Sequence, residues 1–401
     1  MNLISGPPKP PIRGLAAPRR YDVIACDASL TGAAHPPSVS YKPINPKKRC
    51  KHIIITWCVP YVMTKIALIG FGVVGQSFAR VLSQKQQELK EIHGLDAHIV
   101  AISGRSKGSL MVKEGIELER LLASFAENGT VESYPTGVKG LDSIQIIKDS
   151  GADVVVEVTG TNLETGEPGL SHIRKALGLC KHVITCNKGP PALAYNELKG
   201  IADENGVKFR IESTVMAGTP AVNLGKETLA GNKVNGFKGI INGTTNYILT
   251  KMEQGGGYDA TLKEAQELGY AEADPAGDVE GWDAVGKVVI LANTVMGADL
   301  RPSDVEREGI TGITPAMIGE AKRENMRIKL IAQAHIEDGV VRAKVAPERV
   351  HMSDPLANVN GTMNALTYMT DGLQDVTVMG RGAGGVETAH GIISDLIAIY
   401  R

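Results

Sequence analysis

The chain has 401 residues, a hydrophobic fraction of 43%, a charged fraction of 22% and a formal net charge of −1. This composition indicates a globular protein of two or three domains and excludes a wholly disordered chain. No apolar run approaches the ~18 residues of a transmembrane helix, and the balanced charge gives no reason to expect nucleic acid as a partner.

Residues 1–62 differ from the rest of the chain. They contain 10 of the 20 prolines, with nine basic and two acidic residues, and show no helical or strand periodicity. We expect this basic, Pro-rich extension to be disordered, to be an organellar transit peptide, or to lie upstream of the true start. Met63 stands where an initiator would, two residues before a strand, and favours the last interpretation.

The five cysteines form no C-x-x-C pair, which suggests a reducing compartment without disulfides. We therefore expect a cytoplasmic protein, unless residues 1–62 direct it to an organelle.

A buried strand and a glycine-rich turn begin the first predicted domain. Residues 65–70 form the short apolar run typical of a strand covered on both faces. The motif G-F-G-V-V-G and an amphipathic helix over residues 76–89 follow directly. In this context G-x-G-x-x-G predicts a dinucleotide site with the pyrophosphate at the helix N-terminus; the alternative is a turn without a ligand. The cofactor-binding residues predicted here are Gly70, Phe71, Gly72, Val73, Val74 and Gly75.

The second strand, predicted over residues 97–103, bears on the choice of cofactor. An NAD site usually has Asp or Glu at its end, to bind the ribose hydroxyls. This chain has Arg105 and Lys107 there. Two cations favour the 2′-phosphate of NADP, although NAD remains possible, as do plain solvated charges.

Buried strands at residues 153–159, 182–186 and 208–212 continue a βαβ series. They predict an α/β fold with a Rossmann-type, doubly wound parallel sheet. Thr159 and Lys188 follow two of these strands at the ligand-binding edge, where a lysine can polarise a carbonyl or hold a carboxylate. The nearby Cys186 is interpreted as structural, since no histidine partner can be assigned to it.

Acidic residues are concentrated between residues 268 and 287. We expect Asp278 to cap a helix on which Asp283 and Lys287 stand one turn apart. A surface salt bridge is one interpretation of this pair. The same face continues into an apolar run, however, and buried charges need partners or a function.

From Met63 onward the sequence resembles the homoserine dehydrogenases. The resemblance rests on six ordered motifs: G-F-G-V-V-G at 70–75, Asn187-Lys188, E-S-T-V-M-A-G-T-P at 212–220, G-I-I-N-G-T-T-N at 239–246, the acidic segment 268–287, and G-R-G-A-G at 380–384 followed by Thr388-Ala389. It implies reversible NAD(P)-linked reduction of L-aspartate 4-semialdehyde to L-homoserine, in threonine, methionine and isoleucine biosynthesis.

The resemblance also implies roles for individual residues. Lys287 and Asp283 match the catalytic pair, and Lys188 matches the second lysine of the site. The substrate-binding positions are Glu272, which receives the ammonium, and Tyr270, Asp278, Gly243 and Thr244. Gly384 approaches the cofactor. A sodium ion is expected at Glu212 with the backbone carbonyls of Val215, Ala217 and Thr219.

The implied organisation has three parts. Residues 63–213 form an NAD(P)-binding Rossmann domain completed by residues 385–401. Residues 214–384 form an α/β catalytic and dimerisation domain, with strands at 340–350 and 373–379, in a homodimer. Family members often carry an ACT or aspartate kinase domain; none is expected here, and hence no threonine feedback.

Two other functions stay open on the residues alone. A semialdehyde dehydrogenase, or another NAD(P)-dependent amino acid dehydrogenase, would use the same cofactor, the former through a Cys186 thioester. A non-enzymatic nucleotide-sensing module would keep the nucleotide domain and use the acidic segment only structurally.

Overall fold

The glycine-rich turn and the apolar runs around it form the first layer of the fold. The computed structural model describes residues 62–401, so the predictions made for the N-terminal extension lie outside the described residues. The elements of the first half are β1 (Val62–Ile69), α1 (Val73–His93), β2 (Leu95–Gly104), β3 (Gly108–Met111), α2 (Leu118–Asn128), β4 (Val138–Lys139), α3 (Ser143–Asp149), β5 (Val154–Glu157), α4 (Gly169–Leu177), β6 (His182–Thr185), α5 (Gly189–Glu204) and β7 (Phe209–Arg210).

These strands form one seven-stranded sheet in the order β4-β3-β2-β1-β5-β6-β7. Strands β2, β1, β5, β6 and β7 are parallel, as their uninterrupted apolar sequences predict. β3 and β4 are antiparallel additions at one edge, which the prediction of a parallel sheet did not include. The chain leaves β1 toward β2 on one side and returns as β5 on the other, so a crevice opens at the carboxyl ends of β1 and β5.

The second half contains the elements of a second sheet and its covering helices. They are α6 (Ser213–Met216), β8 (Val234–Ile240), α7 (Gly243–Glu253), α8 (Tyr258–Glu267), α9 (Ala276–Val279), α10 (Trp282–Val295), β9 (Glu306–Arg307), α11 (Pro315–Arg323), β10 (Met326–Glu337), β11 (Val340–His351), β12 (Met363–Thr370), β13 (Asp375–Arg381) and α12 (Gly385–Ile399).

The second sheet has six strands in the order β13-β12-β8-β10-β11-β9, and only the β9–β11 pair is parallel. The strand expected at 340–350 is β11. The strand expected at 373–379 is β13, which starts two residues later. The buried, apolar helix α10 lies in the main core between the sheets.

The last helix returns to the first sheet. On α12, Ile392 and Leu396 are fully buried in the same apolar cluster as Phe78 and Leu82 of α1. This contact brings the chain that follows β13 back to the start of α1. No helix in the described part of the chain is long and apolar enough to cross a membrane.

Candidate active site

The turn between β1 and α1 requires two of its glycines and leaves the third open. Gly70 has φ +109°, and a Cβ there would lie 2.6 Å from the carbonyl oxygen of Val158. A Cβ on Gly75 would lie 2.3 Å from the carbonyl oxygen of Gly70, whereas one on Gly72 meets nothing within 4 Å. Gly72 is the N-cap of α1, and no side chain caps that end. The turn therefore presents free backbone N–H groups and open space, which fits a diphosphate.

The two cations after β2 differ in their surroundings. Arg105 is exposed and its side chain has no hydrogen bond or ion pair with any residue from 62 to 401. The Lys107 ammonium lies 5.8 Å from the centre of the Phe125 ring, and Phe125 packs edge-on against Phe71 of the glycine turn. Both cations thus lie beside the nucleotide loop.

The chain returning from β13 closes on the start of α1. A Cβ on Gly385 would lie 2.7 Å from Ser77 Oγ and 2.9 Å from a methyl group of Val73. Its neighbour Gly384 has φ +128°. The structure therefore places Gly384 next to the helix end where the diphosphate fits.

Polar side chains connect the ends of β5 and β6. The buried Glu157 accepts hydrogen bonds from the Thr159 N–H, at 3.1 Å, and from its hydroxyl. Asn187 Nδ2 donates to Thr159 Oγ1 at 3.3 Å. This network fixes the turn from which Lys188 extends, at the same sheet edge as the glycine turn.

Lys188, Asp283 and Lys287 form a continuous charged group. Asp283 Oδ1 lies 3.3 Å from Lys188 Nζ, and Asp283 Oδ2 lies 2.7 Å from Lys287 Nζ. The side chains are 25%, 18% and 9% exposed in the order Lys188, Asp283, Lys287. Lys287 also donates to the carbonyl oxygen of Ile241, at 2.7 Å. Packing of α5 against α10 brings the three side chains together from two distant parts of the sequence.

The charges in this group set one another's protonation. Burial opposes ionisation of Asp283, but the charges of Lys287 and Lys188 outweigh it and hold the pKa of Asp283 well below its usual range. Conversely, the charge of Asp283 raises the pKa of Lys188. The group therefore contains an ionised carboxylate and a lysine that stays protonated at neutral pH.

Asp278 joins this group through an amide. Asn242 Nδ2 donates to Asp278 Oδ1 at 2.7 Å and to Asp283 Oδ2 at 2.9 Å. Burial, followed by the nearby Asp283 charge, raises the pKa of Asp278. Asp278 does not cap a helix as predicted: it lies within α9, and α10 begins after Gly281, which has φ +88°. The turn places Asp278 and Asp283 on two successive helices, and both carboxylates accept from Asn242.

Of the remaining substrate-binding candidates, Gly243 and Thr244 lie at the start of α7, and Tyr270 contacts Thr244. Thr244 donates to the carbonyl oxygen of Tyr270 at 2.7 Å, and the Tyr270 ring is 44% exposed. A Cβ on Gly243 would lie 2.9 Å from the carbonyl oxygen of Thr362. The Glu272 side chain is exposed and forms no hydrogen bond or ion pair with any described residue, so the structure does not join it to the lysine group.

The turn after β7 contains the four residues expected at a cation. Both carboxylate oxygens of Glu212 already accept backbone N–H groups, from Ala221 and Val222 on Oε1 and from Asn223 on Oε2. Burial raises the pKa of Glu212 to about 7. Ala217 has φ +52°, and the Thr219 hydroxyl donates to the carbonyl oxygen of Arg381, at 2.8 Å.

Two family models match the chain. One, described as the NAD-binding domain of homoserine dehydrogenase, matches residues 70–212, and the other, described as homoserine dehydrogenase, matches residues 220–397. The homoserine dehydrogenase of Methanocaldococcus jannaschii is 46% identical over 336 residues, which are 84% of this chain and 98% of that relative. The chain belongs to the homoserine dehydrogenase family.

Other relatives differ in the cofactor that their names state. An NAD(+)-dependent homoserine dehydrogenase from Pseudomonas canavaninivorans is 42% identical over 84% of this chain and 96% of its own length. A hyperthermophilic archaeal homoserine dehydrogenase, solved in complex with NADPH, superposes with a TM-score of 0.73 at 29% identity, covering 84% of this chain and 98% of its own.

Family membership settles the class of protein. The predicted α/β fold with a Rossmann-type sheet is confirmed, as is the prediction of an NAD(P)-dependent oxidoreductase that acts on a CH–OH group. The nucleotide-sensing alternative is not favoured.

The surroundings of Cys186 argue against the thioester alternative. Burial, reinforced by the charge of Glu157, raises the pKa of the Cys186 thiol to about 12. A nucleophilic cysteine needs a lowered pKa and a base. The interpretation of Cys186 as structural agrees with this environment.

Proposed function

We propose that this enzyme catalyses the reversible NAD(P)-linked reduction of L-aspartate 4-semialdehyde to L-homoserine, within threonine, methionine and isoleucine biosynthesis. The observation that carries the proposal is the Lys188–Asp283–Lys287 group at the sheet edge beside the glycine turn. Reduction of an aldehyde creates an alkoxide, and a charged, protonated lysine at that point both stabilises and protonates it.

Different residues of the chain have different roles in the reduction. A bound nicotinamide supplies the hydride. Lys287 and Lys188 are the candidate proton donors, and Asp283 orients both ammonium groups toward the same space. The raised pKa of Lys188 keeps it protonated at neutral pH, as a donor in the reductive direction requires. In the oxidative direction the hydroxyl proton passes to a lysine of the pair in its neutral form, which becomes more abundant as the pH rises.

The substrate-binding set supplies charges of both signs for an amino acid. In this proposal Glu272 receives the substrate ammonium, and its freedom from any described partner leaves the carboxylate available for that role. Asp278 and Tyr270 line the same region, together with Thr244 and the close-packed Gly243. A lysine of the charged group balances the substrate carboxylate.

For the cofactor we propose NADP as the better substrate and NAD as an alternative. Gly70 to Gly75 would hold the diphosphate at the N-terminus of α1, next to Gly384, and Thr159 would border the nicotinamide half. Arg105 and Lys107 would bind the 2′-phosphate. The exposed guanidinium of Arg105, without a described partner, supports this assignment.

We propose that a sodium ion binds at the turn after β7. The Glu212 carboxylate, whose Oε2 accepts a single backbone N–H, and the carbonyl oxygens of Val215, Ala217 and Thr219 form a set of hard donors suited to a cation of low charge. The left-handed backbone of Ala217 supports a constrained turn. Raising the NaCl concentration at constant ionic strength against choline chloride should raise the melting temperature; identical melting temperatures would argue against the site.

We also propose a homodimer formed through residues 214–384, with residues 63–213 and 385–401 as the nucleotide domain. Large apolar side chains at the ends and edge of the second sheet support this, since Val340, Leu373 and Met379 are 52%, 57% and 60% exposed. Light scattering coupled to gel filtration tests the homodimer: the wild type should elute as a dimer, and Met379→Glu should weaken the association. A cytoplasmic location, proposed from cysteine usage, is testable by fractionation.

The deciding experiment follows NADPH oxidation with L-aspartate 4-semialdehyde. The wild type should turn over, and Lys287→Met, which keeps the length of the side chain without its charge, should lose about 10²-fold or more in kcat. Lys322→Met, a change on the exposed surface of α11, is the matched control and should leave the rate unchanged. An undamaged rate in Lys287→Met would refute the assignment.

A further inference from the structure

Asn242 is a buried amide whose role the sequence did not reveal. It is the N-cap residue of α7 and is 4% exposed. Its Oδ1 accepts hydrogen bonds from the N–H of Thr245, at 2.8 Å, and from the Thr245 hydroxyl, at 2.9 Å. Its Nδ2 donates to Asp278 and Asp283. Every donor and acceptor of the amide is therefore used.

The orientation of this amide follows from its partners. A backbone N–H can only donate, so the atom facing Thr245 is the oxygen, and the NH2 group must face the two carboxylates. Neither carboxylate can donate a hydrogen bond while it is ionised. One nitrogen thus bridges two groups of like charge that would otherwise repel each other inside the protein.

The segment that follows β8 also holds Lys287, the lysine that pairs with Asp283. Ile241, the neighbour of Asn242, accepts the Lys287 ammonium on its carbonyl oxygen at 2.7 Å. Two consecutive residues therefore hold Lys287 and Asp283 from one point of the backbone. A shift of Asn242 would move both charged groups relative to Lys188.

We propose that Asn242 is a positioning residue of the reaction. Its amide holds Asp278 and Asp283 side by side as carboxylates, so that Asp283 keeps the ammonium groups of Lys188 and Lys287 in place. This inference rests on the proposed function. Asn242 acts through the two carboxylates, and its second task, capping α7, couples the charged group to the start of that helix.

Loss of the Asn242 amide should change the pH dependence of kcat/KM. Asp278 faces Asp283 and Lys287 of α10, Lys188 before α5 and, at the start of α7, Asn242 and Thr244; the amide favours its ionised form. Without the amide, Asp278 should take up a proton at higher pH. The acid limb of the kcat/KM profile should then move to higher pH.

Two variants separate the two tasks of Asn242. Asn242→Ser keeps an oxygen acceptor for the cap but lacks the bridging NH2 group. Asn242→Asp also keeps the acceptor and adds a third negative charge. Thr314 caps α11, where it accepts from the N–H of Met317 and bonds to neither carboxylate, so Thr314→Ala is the control for the loss of a helix cap.

In Asn242→Ser we expect kcat to fall roughly tenfold to a hundredfold, with a smaller change in KM, and the acid limb to rise by about one pH unit. The Kd for NADPH should not change. Asn242→Asp should lose more. Thr314→Ala should lower the melting temperature without changing kcat or the profile. An active wild type with an unchanged rate and profile in Asn242→Ser would overturn the proposal.

A readout without turnover keeps the inference separate from the proposed function. Carboxyl ¹³C resonances of Asp278, assigned with Asp278→Asn, can be titrated in the wild type and in Asn242→Ser. A higher Asp278 pKa in the variant supports the bridging role even if the wild type fails to reduce the semialdehyde, which would refute only the function. An unchanged Asp278 titration refutes the bridging role.

Discussion

Lys188 and Asp283 form an ion pair between two helices, with 3.3 Å between Nζ and Oδ1. Lys188 precedes α5, at the carboxyl end of the nucleotide-binding sheet, and Asp283 lies in the first turn of α10, which belongs to the second half of the chain. The pair therefore joins the cofactor side of the site to the side that carries the catalytic candidates.

Removing the Asp283 charge should change both the rate and its pH dependence. In Asp283→Asn we expect kcat to fall about 10²-fold to 10⁴-fold. Because the Asp283 charge raises the pKa of Lys188, its removal should lower that pKa. The basic limb of the reductive pH–rate profile should then move to lower pH. Asp299→Asn, at an exposed carboxylate that accepts from Asn196, is the control. A basic limb that stays in place would show that Lys188 does not control it.

Alanine substitutions at two glycines of the nucleotide turn should have different effects, one on stability and the other on NADPH binding. At Gly75 the new Cβ would lie 2.3 Å from a backbone oxygen, so Gly75→Ala should lower stability by about 1–3 kcal/mol. At Gly72 no atom lies within 4 Å, so Gly72→Ala should keep the wild-type melting temperature and weaken NADPH binding about tenfold or more. Thermal melts and fluorescence titrations measure both. Unchanged NADPH affinity in Gly72→Ala would show that the diphosphate does not approach this backbone.

Arg105 should decide the preference between the two nicotinamide cofactors. A charge-assisted hydrogen bond to a phosphate contributes about 1.5–3 kcal/mol. Arg105→Ala should therefore lower kcat/KM for NADPH about tenfold or more and leave NADH nearly unchanged. Lys113→Ala, at an exposed lysine beyond β3, is the matched control. Equal losses of kcat/KM with NADPH and NADH would show that Arg105 does not bind the 2′-phosphate.

Local sequence patterns predicted the parts of the fold that depend on neighbouring residues. The turn at Gly70 and Gly75 was predictable because steric limits on a strand–turn–helix leave little choice of residue. The Asp283–Lys287 pair followed from helix periodicity. The strands β3 and β4 were missed, since four and two residues carry no recognisable period.

The assembly of the site depends on packing that no local pattern describes. Lys188 reaches Asp283 only because α5 packs on α10. Asp278 was wrongly expected to cap a helix, because a left-handed Gly281 inserts a turn before α10. The signal for Asn242 was present, as an asparagine between a strand and a helix is a typical N-cap, but its two carboxylate partners are set by the tertiary fold.

Cys186 should be dispensable for catalysis. Its pKa of about 12 leaves almost no thiolate at neutral pH. We expect Cys186→Ala to keep kcat within about threefold of the wild type and iodoacetamide to leave activity intact, since the thiol is not ionised. Cys180 is exposed, so Cys180→Ala provides the background for the alkylation experiment. Inactivation by iodoacetamide that NADPH prevents and Cys186→Ala abolishes would instead support a thioester mechanism.

Asp395 should make the folded state less stable as the pH rises. Burial raises its pKa to about 6, whereas an unfolded Asp titrates near ~3.9. The folded state therefore holds this proton more tightly, and the resulting stability is fully present below about pH 4 and is lost as the pH rises through about 6. The difference amounts to about 3 kcal/mol at most.

In Asp395→Asn, the free energy of unfolding measured in urea at a series of pH values should depend less steeply on pH between pH 4 and 7. The exposed Asp338, in the turn between β10 and β11, provides the control Asp338→Asn, which should keep the wild-type dependence. A wild-type pH dependence in Asp395→Asn would show that Asp395 is ionised in the folded protein throughout this range.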